Sequence, residues 1–175
     1  MGTIEALSLA MGTAWMSGIN LYATVAALGI ASRAEMIQLP PDLQVLGHPG
    51  VIAVACTMYL IEFFADKVPY VDSGWDVLHT FIRVPAGAIL AARSLGDMNP
   101  ALELMALLAG GSIALAAHGT KAVTRLAINA SPEPFSNVTM SSVEDVATGG
   151  GLWLLFAKPA VGAALAICLL LLVSV

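Results

Sequence analysis

The chain has 175 residues, 58% of them hydrophobic and only 11% charged, with a formal net charge of −5 and a mean hydropathy of +0.86. Soluble domains carry about 25% charged residues, so this composition excludes an ordinary soluble globule and predicts an integral membrane protein. The acidic balance argues against nucleic acid as a partner, and the length fits one transmembrane domain over residues 1–175 without a separate soluble domain.

Five hydrophobic segments follow in chain order, all read as helix, which predicts an all-α membrane fold. Residues 104–117 run without a charge, whereas barrel strands would alternate over ~10-residue stretches. The first segment covers about 6–32, longer than the ~20 residues that cross a bilayer. Ser17-Gly18-Ile19-Asn20 interrupts it, so it tilts or breaks into half-helices at Gly18. No basic region precedes it, so it is expected to stay as a span rather than be cleaved as a signal. A polar loop over 33–50 holds Pro40-Pro41 and His48-Pro49-Gly50. The second segment, about 51–65, ends in Glu62, Asp66 and Lys67.

A connection over 68–74 with Pro69 leads to the third segment, about 75–94, which contains Pro85 and Gly87. The fourth covers about 101–126. Residues 129–142, with Pro132 and Pro134, read as a loop. The last segment, about 146–175, carries Gly149-Gly150-Gly151 and an internal Lys158-Pro159, and some of these segments are expected to be broken or re-entrant. Lys67, Lys121 and Arg125 fall in loops on one side against Arg33 and Arg93 on the other, too even a balance to orient the chain. Cys56 and Cys168 lie in apolar segments and are expected to be buried thiols.

A weak internal repeat is visible. Asp76 precedes Arg83-Val84-Pro85-Ala86-Gly87, and Glu144-Asp145 precedes Lys158-Pro159-Ala160-Val161-Gly162. Halves of about 1–97 and 98–175 would follow, with chance similarity between Ala/Gly-rich helices as the competing explanation. Paired interrupted segments in two halves point to a transporter-like binding site.

The strongest signal for chemistry is a stripe. Asp72, Asp76, His79 and Arg83 step i, i+4, i+7, i+11 along one helical face, roughly 17 Å at 1.5 Å per residue. Such groups do not face lipid, where a charge costs at least ~2.5–3.5 kcal/mol. Glu62 and Asp66 share a face of the preceding segment, and a hairpin through Pro69 would bring them, with Lys67, toward the stripe. Three readings stand side by side. The network locks helices together, or it relays protons or a cation. Otherwise Asp76, His79 and Glu62 ligate a divalent metal, although Arg83 would oppose that cation.

Arg83 beside Pro85 and Lys158 beside Pro159 could bind a carbonyl freed by a kink, or an anion. The competing reading is that both bases snorkel. Ser17 and Asn20 at the broken first segment suit ion or solute coordination, or a simple interhelical hydrogen bond. His48 and His118 read as loop or boundary histidines, and Asn137-Val138-Thr139 is too common a triplet to interpret. No nucleotide-binding loop, Cys-x-x-Cys, His-Glu-x-x-His or Gly-x-Ser-x-Gly occurs. Enzyme activity is therefore not expected, and no cofactor is.

The block Glu62-Phe63-Phe64-Ala65-Asp66-Lys67-Val68-Pro69, the run from Asp72-Ser73-Gly74-Trp75-Asp76 through Arg83-Val84-Pro85, and Gly18-Ile19-Asn20-Leu21-Tyr22 resemble the bacterial membrane-protein family catalogued as domain of unknown function 4126. The resemblance implies a multi-spanning protein of the bacterial inner membrane and carries no activity. The residues favour a small-solute or ion transporter or channel with Glu62, Asp66, Lys67, Asp72, Asp76, His79, Arg83, Asn20 and Lys158 along the path. Glu62, Asp66 and Asp76 would carry protons or cations. His79 would be a pH-responsive relay, since free histidine titrates near ~6.5. Few spans for a complete path predict a homo-oligomer, packed through small residues such as Gly110-Gly111 and residues 160–164. An accessory or scaffold subunit of a larger membrane complex is the alternative, and a membrane enzyme or lipid-handling protein a third.

Overall fold

Helix starts are written locally in the sequence. Asn99 accepts a hydrogen bond from the Leu102 amide at 3.0 Å and Pro100 takes the first helical position. His48 caps Gly50 at 3.1 Å ahead of Pro49 in the same way. In the computed structural model, which describes residues 2–130 and 134–173, these signals open helices in an entirely helical chain. The order is α1 (Thr3–Arg33), a 3₁₀ turn (Pro41–Gly47), α2 (Pro49–Ala65), α3 (Val71–Ser94), α4 (Pro100–Asn129), α5 (Pro134–Ala157) and α6 (Pro159–Val173).

Two helices, Thr3–Arg33 and Pro100–Asn129, are long and apolar enough to cross a membrane. The 3₁₀ turn and α2 also qualify when taken together, bent by 67° as a broken span or a re-entrant loop. Five expected spans therefore reduce to two or three by length and hydropathy among the described residues. The polar stripe lowers the hydropathy of α3, and α6 is only 15 residues long.

The last expected segment also differs. Pro159 has no amide hydrogen and cannot continue a helix, so the chain breaks at Lys158 into α5 and α6. Helix α5 starts at Pro134, so most of the expected loop 129–142 is helix; Pro132 lies outside the described residues, as do residues 174–175. Polar Asn137 and Ser141, which made this stretch look like a loop, are buried. The thiols Cys56 and Cys168 are half-buried and exposed, not buried as expected.

Helix α1 packs against every other helix, and α3 and α4 form the most extensive pair. Close approach at the centre depends on glycine. A Cβ on Gly18 would run into the Ala114 carbonyl and the Ala117 side chain, and one on Gly110 would meet Ala91. Gly110 is thus used inside the chain rather than on the oligomer face its sequence suggested.

Polarity runs inside out. Only Ala55 and Glu62 of α2 are buried, while Val54, Leu60, Ile61 and Phe64 are exposed. On α3 the stripe Asp72, Asp76, His79 and Arg83 is buried, while Val77, Leu78, Phe81 and Ile82 face outward. So large an apolar surface around a charged interior suggests association with a membrane.

Candidate functional site

The break in α1 is built by one residue. Asn20 leaves helical geometry (φ −146°, ψ 97°), and its Oδ1 accepts the Ala23 amide at 2.9 Å, which caps the second half of α1. That amide would otherwise have completed the i→i+4 bond to the Ile19 carbonyl. The Ile19 carbonyl instead receives Lys121 Nζ of α4 at 3.4 Å.

The hairpin through Pro69 places the end of α2 against the start of α3. Arg83 Nη2 donates to Glu62 Oε1 at 2.5 Å, and its Nη1 to Asp76 Oδ1 at 3.1 Å. Helix α3 runs on through Pro85, and Arg83 is held by these side chains rather than by a carbonyl freed at a kink. His118 of α4 completes the Arg83 environment, its Nδ1 lying 3.1 Å from Nη1. A guanidinium can only donate, so Nδ1 must accept and the ring proton sits on Nε2. That nitrogen faces the Asp76 carbonyl at 3.1 Å and Thr80 Oγ1 at 2.7 Å. His118 is therefore neutral in this arrangement.

His79 is separate from the carboxylates. Its Nδ1 lies 2.8 Å from the Trp75 carbonyl and its Nε2 3.0 Å from the Tyr22 hydroxyl, and the ring stacks on Trp75. With both nitrogens engaged, His79 does not complete a metal site with Asp76 and Glu62. Among the described residues no three His, Cys, Asp or Glu side chains are arranged to hold a metal ion.

The opposing wall is a second stripe, His118, Lys121, Arg125 and Asn129, all buried on α4. Lys121 Nζ lies 2.6 Å from Asp66, 3.6 Å from Glu62 and 3.7 Å from both Asp76 and Glu144. Arg125 forms a fork on Glu144, at 3.2 Å from Nε and 2.5 Å from Nη2. It also donates to Asn137 Oδ1 at 2.6 Å and to the Asp66 carbonyl at 3.1 Å. Asn129 Nδ2 contacts both Asp72 oxygens, at 2.8 and 3.0 Å. Lys67 ties α2 to α5 through Ser141 at 3.1 Å and Asp145 at 3.4 Å, its ammonium lying over the Phe63 ring.

Of the residues singled out from the sequence, Glu62, Asp66, Asp72, Asp76 and Arg83 therefore meet in one buried network. Asn20 shapes its wall, and Lys67 and His79 lie at its margins. Lys158 stands exposed at the α5–α6 break, away from the network. Lys121, Arg125 and His118 are not the loop or boundary residues expected. They are buried in α4, and together with Asn129, Asn137 and Glu144 they make up the half of the site that the sequence reading missed. The signal was present, because His118, Lys121, Arg125 and Asn129 step i, i+3, i+7, i+11 along one helical face.

The network is not charge-balanced. Among the described residues, five buried carboxylates (Glu62, Asp66, Asp72, Asp76, Glu144) face three buried cations (Arg83, Lys121, Arg125). One oxygen each of Glu62, Asp66 and Asp76 is buried without a hydrogen-bond partner. Beside the network, Tyr22 lines a groove of about 600 Å³ whose other walls include Leu21, Val51, Val54 and Ala86. Tyr22 thus stands between this apolar groove and His79.

An all-helical chain with an apolar exterior and a charged interior defines a class, and comparison with known families makes it specific. Residues 7–175 match the family described as Domain of unknown function (DUF4126), and the chain belongs to that family. No curated protein and no solved structure matches it.

Proposed function

We propose that this chain is a multi-pass protein of the bacterial inner membrane that moves protons or a small cation through the network between α1 and α5. The observation that carries this reading is the excess, among the described residues, of two buried carboxylates over buried cations. An uncompensated buried charge costs several kcal/mol, so the buried network favours uptake of protons or a cation. Glu62, Asp66 and Asp76, each with an unpartnered oxygen, are the carriers. Arg83 is the fixed counter-ion, and His79 with Tyr22 forms a relay toward the apolar groove. A homo-oligomer would complete the path.

A second reading has its own support. The Arg125 fork, with Glu144, Asn137 and the Asp66 carbonyl, is a fully engaged clamp of the kind that fixes helices in a scaffold subunit. Flux through purified protein in proteoliposomes decides between the two, using an internal pH dye, imposed ion gradients and Asp76→Asn as control. Flux that the folded variant loses supports permeation. Absence of flux from folded wild type across all gradients overturns it in favour of the scaffold.

A further inference from the structure

Helix α1 ends at a position where glutamate is a costly choice. The Glu35 amide donates to the Ser32 carbonyl at 3.1 Å, and the Met36 amide to the Ala31 carbonyl at 2.9 Å. These paired bonds close a helix through one left-handed residue, usually glycine. Glu35 takes that position with φ 57°, which strains any residue with a Cβ. Its carboxylate also stands at the negative end of the helix dipole. Glycine would close α1 more cheaply, so the carboxylate is present at a cost to the fold.

Glu35 and Arg33 line one polar recess of about 690 Å³, with Gln38 and Gln44 among its other walls. Among the described residues neither charged side chain has an ion-pair or hydrogen-bond partner, whereas Arg93 is bridged to Asp42 of the adjoining 3₁₀ turn. Arg33 also borders an apolar groove of about 410 Å³, formed by Ile30, Ala34, Pro49, Ile52 and Ala53 where α1 ends and α2 begins. The guanidinium therefore stands between a slot suited to an acyl chain and a recess of charged and amide groups. One unpaired cation and one unpaired anion complement a zwitterion. A phosphate accepts from the guanidinium, and a primary ammonium donates its protons to Glu35 and to the amide oxygens. A quaternary ammonium has no proton to donate, and a purely anionic headgroup leaves Glu35 without a partner.

We infer that this end of α1 binds a phospholipid whose headgroup carries both a phosphate and a primary ammonium, with an acyl chain in the apolar groove. The inference rests on the membrane placement in the proposed function and is independent of permeation. Arg33 lies roughly 20 Å along α1 from the Asn20 break at 1.5 Å per residue, so substitutions here leave the buried network intact.

Detergent-purified protein would be titrated with phosphatidylethanolamine, phosphatidylcholine and phosphatidylglycerol of identical chains, and bound lipid counted by native mass spectrometry. Phosphatidylethanolamine should bind about tenfold more tightly than either of the others. Glu35→Gln should erase its advantage over phosphatidylglycerol, and Arg33→Gln should weaken all three. Ala53→Phe fills the groove and should also weaken all three. Glu35→Gly should lose the preference while its lipid-free Tm equals or exceeds that of wild type, a result that a purely structural role for Glu35 would not give. Soluble phosphoethanolamine should bind far more weakly than the lipid. The inference is overturned if the three lipids bind wild type alike, if Glu35→Gln keeps the preference, or if soluble phosphoethanolamine matches the lipid. Wild type that selects phosphatidylethanolamine but carries no flux refutes permeation alone. Flux without any lipid preference refutes this inference alone.

Discussion

The α2–α3 and α4–α5 hairpins share a plan and oppose each other in charge. Each ends one helix and begins the next with polar residues at helical spacing, and each buries that face. The first contributes Glu62, Asp66, Asp72 and Asp76 around a single Arg83, and the second contributes Lys121 and Arg125 against Glu144. The difference lies in how completely each side is used. All three donor nitrogens of Arg125 are bonded, whereas three carboxylates of the acidic hairpin keep an idle oxygen. The basic hairpin is the scarce partner, and the acidic one holds the surplus.

That asymmetry predicts unequal costs. Arg125→Gln strips the fork from Glu144 and should destabilise the fold by about 3–5 kcal/mol, read as lost Tm or lost folded yield in detergent. Adding Glu144→Gln should restore part of this, and a double variant no better than the single one would refute the pairing. Asp72→Asn removes a charge from the surplus side while retaining contact with Asn129. It should cost no more than about 1.5 kcal/mol, and a loss as large as that of Arg125→Gln would break the comparison. Tyr22→Phe deletes only the hydroxyl facing His79 and should cost about 0.5–1 kcal/mol. In the flux assay it should slow proton movement more than it lowers Tm. Asp42→Ala sets the baseline, because the Arg93–Asp42 bridge is about half exposed and should be worth under about 1 kcal/mol in thermal unfolding.

The acidic hairpin was legible in the sequence for a physical reason. Asp72, Asp76, His79 and Arg83 interrupt an apolar run, and charges there demand an explanation. The basic hairpin also places its polar residues three and four apart, yet Lys121 and Arg125 lie where a long apolar segment ends and cations are ordinary. Pro132, Pro134, Asn137 and Ser141 then resemble loop chemistry, which concealed the start of α5. Asn20 was recognisable as a break, but its role as a cap that frees the Ile19 carbonyl depends on a side-chain rotamer. Pairings such as Lys121 with Asp66 depend on which helices become neighbours, and hydropathy does not encode that choice.

The order of the two hairpins along the chain has a consequence during synthesis. The ribosome delivers the N-terminal part first, so Glu62, Asp66, Asp72 and Asp76 emerge well before Lys121 and Arg125. A nascent chain that has completed α3 holds four carboxylates, of which Arg83 pairs with Glu62 and Asp76, while Lys121 and Arg125 are still to come. The acidic half must therefore wait, protonated or in contact with water, until α4 arrives to close it. Assembly of the interior is thereby timed to the second half of translation, and a chain cut short before α4 carries its own mark of incompleteness.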